Sequence, residues 1–168
     1  YIKQATEWCK KYATTPVIVK LTPNITDVIY PAEACLEGGA DAVSLINTIN
    51  SIMRVDYDNL TMFPTTGGMG THGGYCGEAV KPIALNMVAE IARNEKTKNL
   101  PISGIGGVTT WKDAVDFIAL GASNVQVCTA AMVYGFKIVE DMKTGLSNFL
   151  DDKGMNSVDE LIGKAVPS

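Results

Sequence analysis

Four short apolar runs alternate with amphipathic stretches along the chain. "PVIVKLT" (16–22) is β-branched and follows a proline, the pattern of a buried strand. "DAVSLINT" (41–48), "LPISGI" (100–105) and "SNVQVCT" (123–129) predict three more strands. Between the first two, Thr26/Asp27 signal a helix start, Ala32, Cys35 and Leu36 share one face, and Gly38-Gly39 stop it. Pro31 leaves the true start of that helix open. "KPIALNMVAEIARN" (81–94) predicts a strong helix, with Pro82 near its first position and Ile83, Met87, Val88 and Ile91 as the apolar stripe. "TWKDAVDFIALG" (110–121) predicts another, with Thr110 as N-cap, Asp113 at N3 and Gly121 as the stop. A longer helix runs through Ile138, Met142, Leu146 and Phe149, and Ser157 with Glu160 opens a short last one in the capping-box pattern.

"GADAVSLINT" (39–48) and "GASNVQVCTA" (121–130) echo each other, as repeated βα units would. Strands alternating with helices call for an α/β fold with a parallel sheet. Two architectures fit: an open doubly wound sheet, or strands 5–8 of a TIM (β/α)8 barrel. A complete barrel takes about 250 residues, so 168 residues with four units would make its C-terminal half, one partial domain over 1–168. Residues 49–80, by contrast, read as long, irregular and glycine-rich, with "TTGGMGTHGGYCG" at their centre. A connection of that length in a compact domain is usually functional.

Composition narrows the function classes. Hydrophobic residues make up 46% and charged residues 19%, which is globular, and a net charge of −4 gives no reason to expect nucleic acid or an anionic membrane as partner. No apolar run approaches the ~20 residues of a membrane span, and the start lacks the form of a signal peptide. A cytoplasmic protein is expected. Cys9, Cys35, Cys76 and Cys128 form no C-x-x-C pair, and the single histidine, His72, completes no zinc set with them, so no metal site is expected and the thiols read as reduced. Trp8 and Trp111 read as packing residues, and the methionines as core filler.

"PISGIGGVTTW" (101–111) raises the question of what needs a backbone so bare. The dinucleotide fingerprint fails, because G-x-G-G follows the third strand rather than the first. A barrel fits better. Its phosphate site lies in the loops after strands 7 and 8, where Gly106-Gly107 and Cys128-Thr129 would stand. Glycines that only turn the chain are the alternative. Lys20 ends an otherwise apolar strand, where a lone ammonium needs a partner: either a bound anionic group or a carboxylate elsewhere in the chain. Asn47 and Thr48 end the next strand on the same rim, and an amide suits the edge of a planar heterocycle as well as it suits a turn.

Together "VIVKLTPNITD", "ADAVSLINTIN", "GTHGGYCG", "KPIALNMVAEIAR", "PISGIGGVTTW" and "NVQVCTAAM" resemble the FMN domain of dihydropyrimidine dehydrogenases. The resemblance runs most nearly to the bacterial subunit that carries FMN and a ferredoxin-like module, and more distantly to dihydroorotate dehydrogenases. It implies FMN held by Lys20, Asn47, Thr48, Gly77, Ile105, Gly106, Gly107, Cys128 and Thr129. Asn47 and Thr48 would also face a pyrimidine substrate, uracil or thymine, reduced at its C5–C6 double bond. Iron–sulfur clusters and NAD would belong to the parent complex, with a separate NAD(H)- and flavin-binding subunit as partner.

The family's proton donor is a cysteine in an Asn-x-Ser-Cys-Pro type motif, which this sequence lacks. No catalytic residue is therefore assigned; Cys76 has no adjacent base or cation, and His72 reads as a solvent-facing loop residue. The chain alone is expected to be inactive, to lack the first barrel half, and to self-associate. Three alternatives remain: a dihydroorotate dehydrogenase-like fragment, a phosphate-binding half-barrel without redox chemistry, and a structural fragment that binds nothing until joined to its other half.

Overall fold

A computed structural model of the chain describes residues 1–166. Residues 167 and 168, the end of the domain expected over 1–168, lie outside the described residues.

The first element, helix α1 (Ile2–Tyr12), is covered by none of the sequence expectations. It presents a single buried residue, Thr6, so its pattern carries little apolar signal. It docks because Gly38 has no side chain: a Cβ there would lie 2.7 Å from Thr6 Cβ. Lys10 Nζ adds an ion pair to Asp41 at 2.7 Å. Strand β1 (Ile18–Lys20) follows, then α2 (Ile29–Glu37) and β2 (Ala42–Leu45). Asp27 Oδ1 accepts the Ile29 N–H at 2.8 Å, so the start signal was sound, and Pro31 sits in the first turn, where its missing N–H leaves no bond unmade.

Residues 49–80 are less irregular than expected. They form three small antiparallel ribbons: β3 (Ile49–Ser51) with β8 (Gly73–Tyr75), β4 (Arg54–Asp56) with β5 (Thr61–Phe63), and β6 (Thr65–Thr66) with β7 (Met69–Gly70). Strands of two or three residues are too short to show a period in sequence.

Helix α3 (Lys81–Arg93) buries Ala84, Met87, Val88 and Ile91, while Ile83 is exposed. The small alanine, not the isoleucine, is the buried residue of the first turn. Strand β9 (Ile102–Ile105), α4 (Trp111–Ala119) and β10 (Asn124–Gln126) come next. The Thr110–Asp113 capping box forms as expected, and Gly121, with φ +113°, ends the helix. The following helix is two: α5 (Thr129–Tyr134) and α6 (Lys137–Lys153), split at Gly135 with φ +74°. Gly145 of α6 lets the Trp111 indole lie against the helix backbone, where a Cβ would come within 2.2 Å. Residues Val158–Glu160 make a 3-10 turn rather than a capping-box helix, since Glu160 Oε1 accepts the N–H of Asn156 instead of Ser157. Trp8 is 60% exposed, so it is no core residue; of the methionines, Met87 and Met142 are buried, whereas Met53, Met69 and Met132 face outward.

The main sheet is wholly parallel, in the order β1-β2-β9-β10. Each strand joins beside its predecessor, with no reversal. Right-handed crossovers in such an order put every connecting helix on one face, and the switch in direction that marks a doubly wound sheet does not occur among the described strands. Val43 and Leu45 of β2, Cys35 of α2, Val88 of α3 and Phe117 of α4 fill the core on that face.

A glycine-lined cleft at the strand ends

The carboxyl ends of the four parallel strands open into one cleft. All nine residues singled out from sequence line it: Lys20 ends β1, Asn47 and Thr48 follow β2, and Gly77 precedes α3. Ile105 ends β9 and Gly106 and Gly107 follow it, while Cys128 and Thr129 follow β10. Gln126, Glu78 and Tyr134 also line the cleft and were missed. Gln126 could have been found by alternation along β10; Tyr134 lies on α5, which sequence does not separate from the next helix.

The bareness of residues 104–107 has a geometric cause. Gly106 has φ +138°, and a Cβ there would lie 2.9 Å from Ala84 Cβ. Gly107 has φ +72°, and its Cβ would lie 2.8 Å from both the Gly77 carbonyl oxygen and Lys81 Cβ. Both positions need glycine for conformation and for space. The turn thereby packs directly on the start of α3. It also leaves donors open: among the described residues, the N–H groups of Gly106, Gly107 and Thr129 have no protein acceptor.

Lys81 and Asp113 brace this turn from behind. Asp113 Oδ2 accepts the N–H groups of Thr109 (2.9 Å) and Thr110 (2.7 Å), and its Oδ1 accepts from Lys81 Nζ. Lys81 also pairs with Asp116 at 2.7 Å. Burial opposes ionisation of Asp113, yet the Lys81 ammonium and the threonine donors outweigh it and hold the carboxyl well below its ordinary range. Burial likewise opposes the charge on Lys81, and the two carboxylates override it and raise its pKa. Lys81 is thus fully committed. Among the described residues, Lys20 is the one lysine or arginine lining the cleft, and no carboxylate lies within ion-pair distance of it.

The opposite rim is set by Asn24, which sequence did not single out. Its Nδ2 donates to the Thr48 carbonyl (3.1 Å) and its Oδ1 accepts the Asn50 N–H (2.9 Å). Asn47 Oδ1 accepts the Thr48 N–H at 2.8 Å, and its amide NH2 keeps both hydrogens free among the described residues. Cys76 stands at the mouth, its Sγ 3.5 Å from Thr129 Oγ1, whereas His72 is outside the cleft.

A cleft at the carboxyl ends of parallel strands, with open N–H donors on a glycine turn and one uncompensated cation, can accept an anionic group. Residues 2–150 match the family model described as dihydroorotate dehydrogenase. The chain belongs to the dihydroorotate dehydrogenase family. Within it, the chain is 44% identical over 156 residues to the NAD-dependent dihydropyrimidine dehydrogenase subunit PreA of Escherichia coli (strain K12), covering 93% of this chain and 38% of that protein. It is 40% identical over 162 residues to the chloroplastic dihydropyrimidine dehydrogenase (NADP(+)) of Arabidopsis thaliana, covering 95% and 38%. It is 42% identical over 151 residues to the catalytic subunit of dihydroorotate dehydrogenase B (NAD(+)) of Thermococcus kodakarensis, covering 90% and 47%. The chain therefore spans less than half the length of these relatives. Its relatives in the dihydroorotate dehydrogenase family are oxidoreductases by name, and the motifs quoted from sequence point to the same two groups.

Proposed function

We propose that residues 1–168 form the C-terminal half, strands 5–8, of an FMN-binding TIM barrel in a cytoplasmic dihydropyrimidine dehydrogenase that reduces uracil or thymine. The observation that carries this reading is the set of open N–H donors at Gly106, Gly107 and Thr129, converging on a cleft with Lys20 as its cation. The donors and the absence of a Cβ at both glycines fit a phosphate approaching the main chain. When bound, FMN supplies hydride transfer. Lys20 offsets negative charge at the ring edge, and Asn47 and Thr48 present polar groups to the flavin and the pyrimidine, with Ile105 and Gly77 against the flavin and Cys128 completing the phosphate cup. These residues supply no assigned proton donor, so the chain on its own is inactive. NAD and iron–sulfur clusters belong to the whole protein and its NAD(H)-binding partner subunit. A second reading, a dihydroorotate dehydrogenase, is favoured by the Thermococcus kodakarensis relative.

The test is titration of the native full-length protein with FMN and with riboflavin, read by flavin fluorescence. Charge-assisted hydrogen bonds to the phosphate are worth about 1.5–3 kcal/mol each, so FMN binds at least tenfold more tightly. Equal affinities sink the phosphate role. Turnover of uracil or thymine against dihydroorotate then separates the two substrates.

A further inference from the structure

A row of polar side chains crosses all four parallel strands. Lys20, Ser44, Ser103 and Asn124 are register partners on β1, β2, β9 and β10. A Cβ on Gly104 would lie 2.5 Å from the Phe117 ring of α4, so Gly104 faces the helices. Its neighbour Ser103, with the rest of the row, therefore faces the other side of the sheet.

Gln126, two residues beyond Asn124 on the same face, reaches back over this row. Its Nε2 donates to Ser44 Oγ and to Ser103 Oγ, each at 2.8 Å. Ser103 Oγ in turn donates to Asn124 Oδ1. The proton of Ser103 is thus used, and that hydroxyl can only accept from Gln126. In this arrangement both Nε2 hydrogens go to the buried serines. Gln126 Oε1 is left upward on a residue that lines the cleft. It accepts from no group among the described residues and is not sealed from solvent.

Ser44, on which the Gln126 amide rests, is the register partner of Lys20. A fixed acceptor and a cationic donor thus both line the cleft, rising from the same polar row of the sheet. Adjacent carbonyl and N–H groups on a planar ring match that pair, and an imide, C(=O)–NH–C(=O), presents such an edge on either side of its N–H. We propose that Gln126 is a specificity-determining residue that reads the imide edge of a bound heterocycle. Its Oε1 accepts the imide N–H while Lys20 donates to the adjoining carbonyl. The proposal rests on the flavoenzyme reading above. An imide occurs on the flavin ring and on the pyrimidine substrate, and the test distinguishes the two. A site that holds an N–H rejects the analogue lacking it, because the acceptor is then left unpaired.

The experiment compares binding of FMN with 3-methyl-FMN to the native full-length apoprotein, and of uracil with 3-methyluracil to the FMN-loaded protein, by calorimetry. At least a tenfold weakening by methylation in one pair is expected, and that pair names the ligand read by Gln126. Gln126→Leu should keep its parent ligand at reduced affinity and bind parent and methylated forms within about threefold. Methylation without effect in either pair overturns the proposal, as does discrimination that survives intact in Gln126→Leu. Should that variant fail to fold, the unaltered protein still decides through the two ligand pairs. Failure of FMN itself to bind removes the flavoenzyme reading and this inference with it; equal binding of parent and methylated ligands removes this inference alone.

Discussion

A Cβ on Gly107 would stand 2.8 Å from the carbonyl oxygen of Gly77, so two loops meet backbone to backbone at the cleft wall. One loop leaves β9 and the other enters α3. Gly107→Ala must push them apart and also force an alanine to φ +72°. That conformation alone adds about 1–2 kcal/mol of strain. The expected outcome is a lowered Tm together with at least a tenfold loss of FMN affinity. Gly163→Ala is the control. It has φ +73° with nothing within 4 Å, so it loses stability by strain while leaving the cleft unchanged. Thermal unfolding and flavin titration on both variants check the pair.

The Lys81–Asp113 brace predicts an acid-sensitive fold. The carboxyl of Asp113 lies well below its ordinary range in the folded state. Its stabilising contribution is therefore present above the unfolded value of about 3.9, and is lost as pH falls below that toward the folded value. Asp113→Asn should cost about 2–4 kcal/mol at neutral pH, because it removes a helix cap and half of a largely buried ion pair. The variant should also show a flatter loss of stability below pH 4. Denaturant melts across pH 2–7 give both results.

Thiol labelling distinguishes the cysteines. Burial pushes Cys35 up to about 11, so it stays protonated and covered. Cys9, Cys76 and Cys128 are exposed. A maleimide at neutral pH should label these three in the native protein and Cys35 only after unfolding. FMN should protect Cys76 and Cys128, which line the cleft, and leave Cys9 reactive. Peptide mapping by mass spectrometry reads each site.

The 168-residue chain on its own should self-associate. Strands β1 and β10 each have one edge without a partner among the described residues. Beside β10, Met132, Val133, Tyr134 and Phe136 are each more than 60% exposed. Open edges and exposed apolar side chains favour pairing with a second copy. Light scattering should give a dimer or larger species; a monomer at working concentration would contradict this.

What the sequence made legible follows from how each signal is encoded. The capping box at Thr110 and Asp113, the stop at Gly121 and the β-branched runs are local patterns, and each stands where it was expected. Lys20, Asn47, Thr48, Gly106, Gly107, Cys128 and Thr129 were legible because they stand at strand ends, and all parallel strand ends open on the same side, whereas Gly77 and Ile105 came only with the family resemblance. Other features depend on neighbours far away in sequence. Helix α1 is held by the bare Gly38 and by ion pairs, not by an apolar stripe. Ala84 turns inward in place of Ile83 and packs against Gly106, where a Cβ would lie 2.9 Å from the Ala84 Cβ. Gln126 looks like an ordinary strand residue until Ser44 and Ser103 are brought beneath it.

The strand order has a consequence for biosynthesis. Every strand of the main sheet is laid beside the one made just before it. The sheet can therefore grow by accretion as the polypeptide leaves the ribosome, each strand finding a template already in place. The ligand site follows a different clock. Among the described residues its lining runs from Lys20 to Tyr134, beyond the last strand of the sheet, so all four parallel strands are made before this part of the cleft is complete.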